Sequence, residues 1–255
     1  MAALFYCGLA LADDATYIQV LGIAQDAGYP QTNCYQPHCI RAWRNPELRR
    51  KASSIAVVSE ASRAKYLFDA TPDMREQLYD LQRVAPDKDY VLNGVFLTHG
   101  HIGHYTGLMH FGREAVGASG IPVYAMPRMR EFLSNNGPWD QLVRLGNIEL
   151  RGLVDGKAVE PGSGVTITPF TVPHRDEYTE TVGYRIDGPD KSAVFIPDID
   201  KWEMWSMDNL EIIRSVDYAL VDATCFKDGE LGGRDMSNIK HPFVAESMAW
   251  FAALK

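Results

Sequence analysis

The chain has 255 residues, of which 46% are hydrophobic, so it can bury the core of one large domain or two small ones. Its net charge of −8 at pH 7 argues against nucleic acid or an anionic membrane as the main partner, because phosphate-rich surfaces attract basic proteins. We therefore expect a small-molecule substrate, no nucleic acid and no stable membrane insertion, and the oligomeric state is left open.

The N-terminal residues 1–12 have features of an export signal. An apolar stretch leads to Ala10-Leu11-Ala12, which has the small residues of a signal-peptidase site, and it is too short to span a bilayer. The positively charged start of such signals is missing. We interpret residues 1–12 as a signal-peptide remnant and predict a periplasmic or secreted protein. The alternatives are a frayed apolar strand and a cytoplasmic protein.

Two sets of strands are predicted along the rest of the chain, together with helices. The first set comprises residues 17–22, 54–58, 65–69, 94–97 and 123–125, with helices over 72–84 and from residue 127. The second set comprises residues 165–172, 181–186, 192–197 and 218–222, followed by a helix over 242–254. This order predicts an α/β fold in which two sheets pack face to face with helices outside.

Four of the seven histidines lie at or just after the ends of predicted strands. His99 and His101 are two residues apart where one strand ends, so both imidazoles can point to the same side. His104 follows three residues later, and His174 ends a strand of the second set. Neutral imidazole suits zinc, and three imidazoles around a zinc ion leave one position open, as is typical of a catalytic site.

Three aspartates also follow predicted strands, and strand ends along one sheet edge converge. Asp198 is the best placed to bind metal, because the apolar strand before it fixes its position and a carboxylate oxygen suits zinc beside imidazole. Asp69 and Asp222 are then expected to orient ligating imidazoles. The alternative is that each aspartate only stabilises a turn.

A turn-rich segment contains Cys34, His38 and Cys39. These residues are consistent with part of a structural zinc site, which closes with four ligands. They are also consistent with a disulfide in an exported protein, or with two ordinary thiols. The sequence leaves the three alternatives open.

The H-x-H-x-x-H motif at 99–104, followed by His174 and Asp198, resembles the metallo-β-lactamase superfamily. Within it, the N-terminal part of the chain, with Val20-Leu21-Gly22 and residues 28–34, is most similar to pyrroloquinoline quinone biosynthesis protein B and related phosphodiesterases. The resemblance implies an αββα sandwich of two mixed β-sheets with helices outside. It also implies metal ions at the rim between the sheets and hydrolysis by a metal-bound hydroxide.

Several features depart from the family pattern. Gly103 stands where the superfamily usually has an aspartate that holds a second metal ion, so this second site is expected to be weakened. Gln36 replaces the middle cysteine of the relatives' cluster. Relatives generally continue beyond the position of Lys255, so the domain over 17–255 is expected to be truncated at its C-terminus. His241 resembles part of a Gly-His-x-Pro element and either binds metal, lines the site or only precedes a helix.

These patterns predict a metal-dependent hydrolase that uses a zinc-bound hydroxide on an ester, phosphodiester, thioester or lactam substrate. The first zinc ion is expected to bind His99, His101 and His174. The second, weaker ion is expected to bind His104, Asp198 and His241. The catalytic residues are expected to be Asp198, His241 and Asp69. Two alternatives are a cofactor-biosynthesis enzyme like biosynthesis protein B, with iron or copper in place of zinc, and a non-catalytic metal-binding protein.

Overall fold

A computed structural model of the protein describes residues 15–162, 164–205, 209–231 and 235–252. The segment 1–12, predicted as an export signal, lies outside the described residues, so export stays a prediction. Among the residues described, no helix combines the length and the apolar character needed to cross a membrane.

The first sheet has six strands, which follow one another in chain order from edge to edge. They are β1 (Thr16–Gly22), β2 (Ser54–Ser59), β3 (Ala64–Phe68), β4 (Val91–Phe96), β5 (Ile121–Ala125) and β6 (Ile148–Gly152). Strands β1 to β3 pair antiparallel, and β3 to β6 pair parallel. Every residue of β2 and β3 is buried, as expected of apolar strands covered on both faces.

The second sheet has five strands in the order β11-β10-β9-β8-β7. They are β7 (Val159–Gly162), β8 (Val165–Thr171), β9 (Val182–Asp187), β10 (Ser192–Ile196) and β11 (Tyr218–Val221). The pairs are antiparallel except β10 with β11, which is parallel. Both sheets are therefore mixed.

Helices cover the outer faces of the two sheets. The α-helices are α1 (Pro37–Arg44), α2 (Met74–Val84), α3 (Ile102–Tyr105), α4 (Pro127–Asn135), α5 (Trp139–Arg144), α6 (Asn209–Arg214) and α7 (Val244–Phe251). Apolar side chains of α2, α4 and α5 pack with those of the first sheet in one core cluster. Side chains of α6 and α7 pack with those of the second sheet in another.

The core between the sheets is aromatic. The Phe68 ring lies 5.1 Å from Phe96 of its own sheet, and 5.4 Å and 6.2 Å from Tyr184 and Phe195 of the facing sheet, centroid to centroid. The Tyr184 hydroxyl donates a hydrogen bond to the carbonyl oxygen of Leu97, directly after β4, and so joins the two sheets. The predicted α/β fold, an αββα sandwich, is confirmed.

Parallel pairing places strand ends that are followed by polar side chains at one edge of each sheet. Phe68 of β3 lies opposite Phe96 of β4, so Asp69 follows beside the segment that leads to the histidine motif. Ile196 of β10 lies opposite Val221 of β11, so the aspartates after these strands are also neighbours. Because the carboxyl ends of parallel strands share one edge, the two sheets deliver their polar residues to a common rim.

Some elements differ from the sequence prediction. The segment after Cys34 forms α1, which begins at Pro37, a residue well suited to a first helical turn, and buries Cys39 and Ala42. Strands β6 and β7 and helix α5 were not predicted. Helix α7 begins at Val244 rather than at residue 242, because the backbone N–H of Phe243 donates to the Glu246 carboxylate at 2.8 Å and caps the helix there.

Candidate metal centre

Four imidazoles converge at the rim where the sheets meet. His99 and His101 follow β4, His104 lies in α3 and His174 follows β8. The His99 ring centroid lies 4.4 Å from that of His101, 4.2 Å from that of His104 and 5.3 Å from that of His174. The structure thus brings His174 together with the histidine motif at 99–104.

Asp198, directly after β10, lies among these rings. Its Oδ2 is 3.3 Å from Nε2 of His99, 3.3 Å from Nε2 of His104 and 3.6 Å from Nε2 of His174. His101 approaches through Nδ1, which is 2.9 Å from Nε2 of His99. One ligand atom each from His99, His101, His174 and Asp198 lies within 4.8 Å of the others. Asp198 also borders His104, so it is positioned to bridge two ions.

The imidazole nitrogens that face away from Asp198 are held by hydrogen bonds. The Thr98 hydroxyl donates to Asp69 at 3.0 Å and lies 2.9 Å from Nδ1 of His99, so it accepts the hydrogen of that nitrogen. Asp69 also lies 2.7 Å from Nδ1 of His104. Both Nδ1 atoms therefore carry hydrogen, and both Nε2 atoms are turned toward Asp198.

Carboxylates hold the outward nitrogens of the other histidines in the same way. The pairs are His174 Nδ1 with Asp200 at 3.1 Å, His101 Nε2 with Glu177 at 3.2 Å, and His241 Nδ1 with Asp222 at 2.5 Å. This arrangement is typical of metal-binding histidines, whose second ring nitrogen donates to a carboxylate that fixes the ring.

Burial and neighbouring charges set the protonation of the cluster. Burial, together with the charge on His104, lowers the pKa of His99 to about 3, so this imidazole is neutral and able to bind metal. Burial also opposes charge on His104, but the Asp198 and Asp69 carboxylates outweigh it and raise the pKa of His104 well above its usual value. Burial opposes charge on Asp198 too, yet His104 and His99 hold the pKa of Asp198 well below its usual value. In the metal-free protein a proton on His104 therefore supplies the positive charge beside Asp198.

The remaining predicted residues lie around this cluster. The His241 ring is 5.1 Å from that of His174, and His241, Asp222 and Asp198 form a third group with ligand atoms within 4.8 Å. Asp69, by contrast, is fully buried behind His104. In this position Asp69 holds an imidazole, and its catalytic role stays a prediction.

Cys34 and Cys39 are joined by a disulfide. The sulfur atoms of a disulfide are not thiolate ligands. One ligand atom each from Cys34, His38 and Cys39 nevertheless lies within 4.8 Å of the others, so the structural zinc site stays a prediction for the reduced form. His38 lies beside the bond, with Nε2 3.6 Å from Sγ of Cys34. Of the three alternatives that the sequence leaves open, the structure has the disulfide.

Three carboxylates at the site were not predicted from the sequence. Asp200 lies two residues after Asp198, and this D-x-D spacing was a usable signal. Glu177 is on a loop and half exposed. Asp26 is on the loop after β1, and its Oδ1 lies 3.0 Å from Nε2 of His104. Nothing in the local sequence around Asp26 or Glu177 indicates a ligand.

A cavity of about 600 Å³ opens beside the cluster. Its wall includes Asp26, His104, Asp198 and Asp222, together with apolar residues such as Val20 and Leu220. This volume lies in the range of small-molecule sites. The candidate metal-binding side chains and a cavity large enough for a small substrate are therefore adjacent.

The residues present fit a zinc ion. Three imidazoles and one carboxylate are a donor set that zinc prefers. Within the described part of the chain, the buried Nε2 of His174 has no hydrogen-bond partner, although a buried polar atom normally has one. A cation beside Asp198 would satisfy this nitrogen.

Known proteins show similar sequences and folds. A family model described as a β-lactamase superfamily domain matches residues 64–255. Coenzyme PQQ synthesis protein B of Methylorubrum populi is 25% identical over 232 residues, which cover 84% of this chain and 75% of that protein. Its counterpart in Xanthomonas oryzae pv. oryzae is 30% identical over 203 residues, which cover 71% of this chain and 64% of that protein.

Two solved structures share the fold. Zn²⁺-bound PqqB from Methylobacterium extorquens superposes with a TM-score of 0.78 at 24% identity, covering 94% of this chain and 86% of that one. A diphosphatase of the PhnP family gives a TM-score of 0.65 at 24% identity, covering 94% and 82%. The fold, the family match and the curated relatives agree: the chain belongs to the β-lactamase superfamily and resembles the coenzyme PQQ synthesis B proteins.

Proposed function

We propose that the protein is a metal-dependent hydrolase that binds zinc between His99, His101, His174 and Asp198. The observation that carries this proposal is the convergence of three imidazoles and one carboxylate beside an open cavity. A bound zinc ion supplies a Lewis acid for the scissile carbonyl or phosphoryl oxygen and lowers the pKa of a coordinated water to about 7.

The other residues of the site keep these groups in place. Asp200 and Glu177 hold His174 and His101 through their outward nitrogens, so the ligand atoms need little rearrangement to bind an ion. Burial opposes charge on His241, but the hydrogen bond to Asp222 and the charges of Asp222, Asp198 and Asp200 together outweigh burial and raise the pKa of His241. A protonated imidazole at the edge of the site is suited to donate a proton to a leaving group.

The cavity wall favours some substrates of the proposed set over others. Among the described residues that line it, Asp26, Asp198 and Asp222 are acidic and none is lysine or arginine. A phosphodiester would therefore depend mainly on bound metal to compensate its charge. We expect uncharged esters, thioesters and lactams to be hydrolysed better than phosphodiesters.

A role like that of coenzyme PQQ synthesis protein B is the second candidate. Relatives with that name align with most of the chain, for example 84% of it in the Methylorubrum populi protein. Imidazole and carboxylate ligands also accept iron or copper, which would support oxidative chemistry on a cofactor precursor. The solved PqqB structure itself holds Zn²⁺, so zinc content alone does not separate the two candidates, whereas iron with oxygen-dependent activity would favour the second.

Metal analysis and a substrate panel test the proposal. Protein purified without added metal should contain zinc and should hydrolyse at least one ester, thioester, lactam or phosphodiester. Chelation should abolish the activity and added zinc should restore it, whereas His101→Ala should lack both tight zinc and turnover. Glu149→Gln is a matched surface control, because Glu149 lies on β6 in an ion pair with Arg151.

Two outcomes would contradict the hydrolase. One is zinc-loaded protein that turns over no substrate of the panel faster than His101→Ala. The other is iron as the native metal, with activity that depends on oxygen, which would favour the cofactor-biosynthesis role.

A further inference from the structure

Gly103 is crowded by a carboxylate from a distant part of the chain. A Cβ atom built on Gly103 would lie 2.3 Å from Cγ of Asp26, and 2.5 Å and 2.7 Å from its two carboxylate oxygens. Gly103 belongs to α3, where any residue can adopt the backbone conformation, so a side chain at position 103 is opposed by lack of space, and Asp26 would have to shift to admit one. The side chain of Asp26 fills the position that a side chain at residue 103 would take.

The Asp26 carboxylate faces the second group of the centre. Its Oδ1 lies 3.0 Å from Nε2 of His104, and one ligand atom each from Asp26, His104 and Asp198 lies within 4.8 Å of the others. The other nitrogen of His104 is occupied by Asp69, so Nε2 is the atom left for an ion. Two carboxylates and an imidazole form a charged donor set for a divalent cation.

The loop that carries Asp26 is fixed by backbone contacts. The N–H groups of Ile23 and Ala24 both donate to the carbonyl of Lys51, at 3.0 Å and 2.9 Å. The side-chain amide of Gln31 donates to the carbonyl of Asp26 at 2.7 Å. The loop therefore presents Asp26 to the site from a defined position.

We propose that Asp26 supplies the carboxylate ligand of a second metal ion and replaces the side chain that is missing at position 103. The ion binds Asp26, His104 and Asp198, and Asp198 is shared with the first ion. The second site is then complete, contrary to the expectation that Gly103 weakens it. The inference rests on the proposed function only for the presence of metal, and it does not require turnover.

The first ion has three neutral imidazoles and the shared Asp198, whereas the second has two carboxylates and one imidazole. Losing Asp26 removes one of the two negative ligands of the second ion and leaves the first set intact. The first ion should therefore stay bound when Asp26 is replaced, which gives the test an internal reference.

Wild type and three variants test the assignment through metal content. The variants are Asp26→Ala, Gly103→Asp and the double variant with both substitutions. Each protein is stripped of metal by chelation, its folded state is checked by circular dichroism, and it is titrated with Zn²⁺ alone by calorimetry. Wild type should bind two ions, and Asp26→Ala should bind one with unchanged affinity and lose at least about tenfold in affinity for the other. Glu149→Gln, whose carboxylate is as exposed as that of Asp26 (53% and 51%), should behave as wild type.

The double variant gives the sharpest result. Asp26→Ala removes the three atoms that crowd position 103, so an aspartate placed there should restore the second ion. Gly103→Asp alone should clash with Asp26 and lower the melting temperature without gaining metal. If Asp26→Ala does not fold, the near-isosteric Asp26→Asn replaces it, with the same expected loss of the second ion.

The assignment is overturned if wild type binds a single ion, or if Asp26→Ala and Asp26→Asn retain two ions at wild-type affinity. Rescue in the double variant supports the assignment even when no variant hydrolyses any substrate. That absence of hydrolysis would contradict only the proposed hydrolase function. Two ions still bound to Asp26→Ala, in a protein that hydrolyses a substrate of the panel, would contradict the role of Asp26 alone.

Discussion

Replacing Asp69 with asparagine should disturb two imidazoles at once. Asp69 is fully buried and accepts hydrogen bonds from the Thr98 N–H at 2.8 Å and the Thr98 hydroxyl at 3.0 Å, and it lies 2.7 Å from Nδ1 of His104. Asparagine has almost the same shape but only one acceptor oxygen, so its amide N–H₂ must face one of these donors. If it faces His104, the hydrogen of that ring moves to Nε2, the atom proposed to bind metal.

The size of the effect follows from these contacts. A hydrogen bond to a charged group contributes about 1.5–3 kcal/mol, and a buried donor left unsatisfied costs about 1–3 kcal/mol. With one bond lost and one weakened, the free energy of unfolding of the metal-free protein should fall by roughly 3 kcal/mol. Burial raises the pKa of Asp69, so wild type and variant are compared at one and the same pH, on the alkaline side of neutrality.

Urea unfolding of the metal-free proteins and zinc titration of the refolded ones measure the two effects. Asp217→Asn is the control for the zinc titration only, since Asp217 also accepts a backbone hydrogen bond, from Ser192 at 2.8 Å, but lies at the opposite end of β10, away from the site. The reasoning is refuted if Asp69→Asn unfolds within about 1 kcal/mol of wild type and also binds zinc at wild-type affinity, since one lost hydrogen bond alone should exceed that difference.

Three further outcomes are expected. Glu177→Gln should weaken zinc binding by about tenfold, because it loosens the contact that holds His101 through Nε2, and calorimetric titration with an unchanged affinity would contradict this. Thiol titration of the unfolded protein should gain two thiols on reduction, from Cys34 and Cys39, and a gain of none would show that the disulfide does not form. The hydrogen bond from Lys191 lowers the pKa of Asp217 to about 2 from 3.8, so its stabilisation is present above pH 3.8 and is lost as the pH falls toward 2. The difference in melting temperature between wild type and Asp217→Asn should therefore shrink between pH 4 and pH 2, and a constant difference would contradict it.

The fold was largely predictable because its main strands are apolar and end at recognisable residues. The strands that were missed have weaker patterns. β7 has only four residues and includes Pro161 and Gly162, both poor strand formers. β6 mixes Glu149 and Arg151 into its run and has only one fully buried residue, Ile148. Hydrophobic periodicity does not identify strands of this kind.

The site was predictable where ligands are close in sequence or follow a strand. His99, His101 and His104 lie within six residues, and their spacing alone indicates a shared target. Asp26 could not be found in this way, because it comes from a loop far away in the chain. The sequence offers one indirect signal, the missing side chain at Gly103. Taken alone, a glycine there indicates a weakened second site, and only the three-dimensional contact shows that Asp26 fills its place.

The hydrogen bond between Tyr184 and Leu97 has a mechanical consequence for the centre. Leu97 lies two residues before His99, so the bond ties the start of the histidine motif to the opposite sheet, which also carries Asp198. Any sliding of one sheet along the other would strain this hydrogen bond as well as the contact between His99 and Asp198. The Tyr184 hydroxyl therefore helps to fix the position of one sheet relative to the other. The alignment of the His99 and Asp198 side chains depends on how rigidly the two sheets pack as well as on the loops that carry these residues.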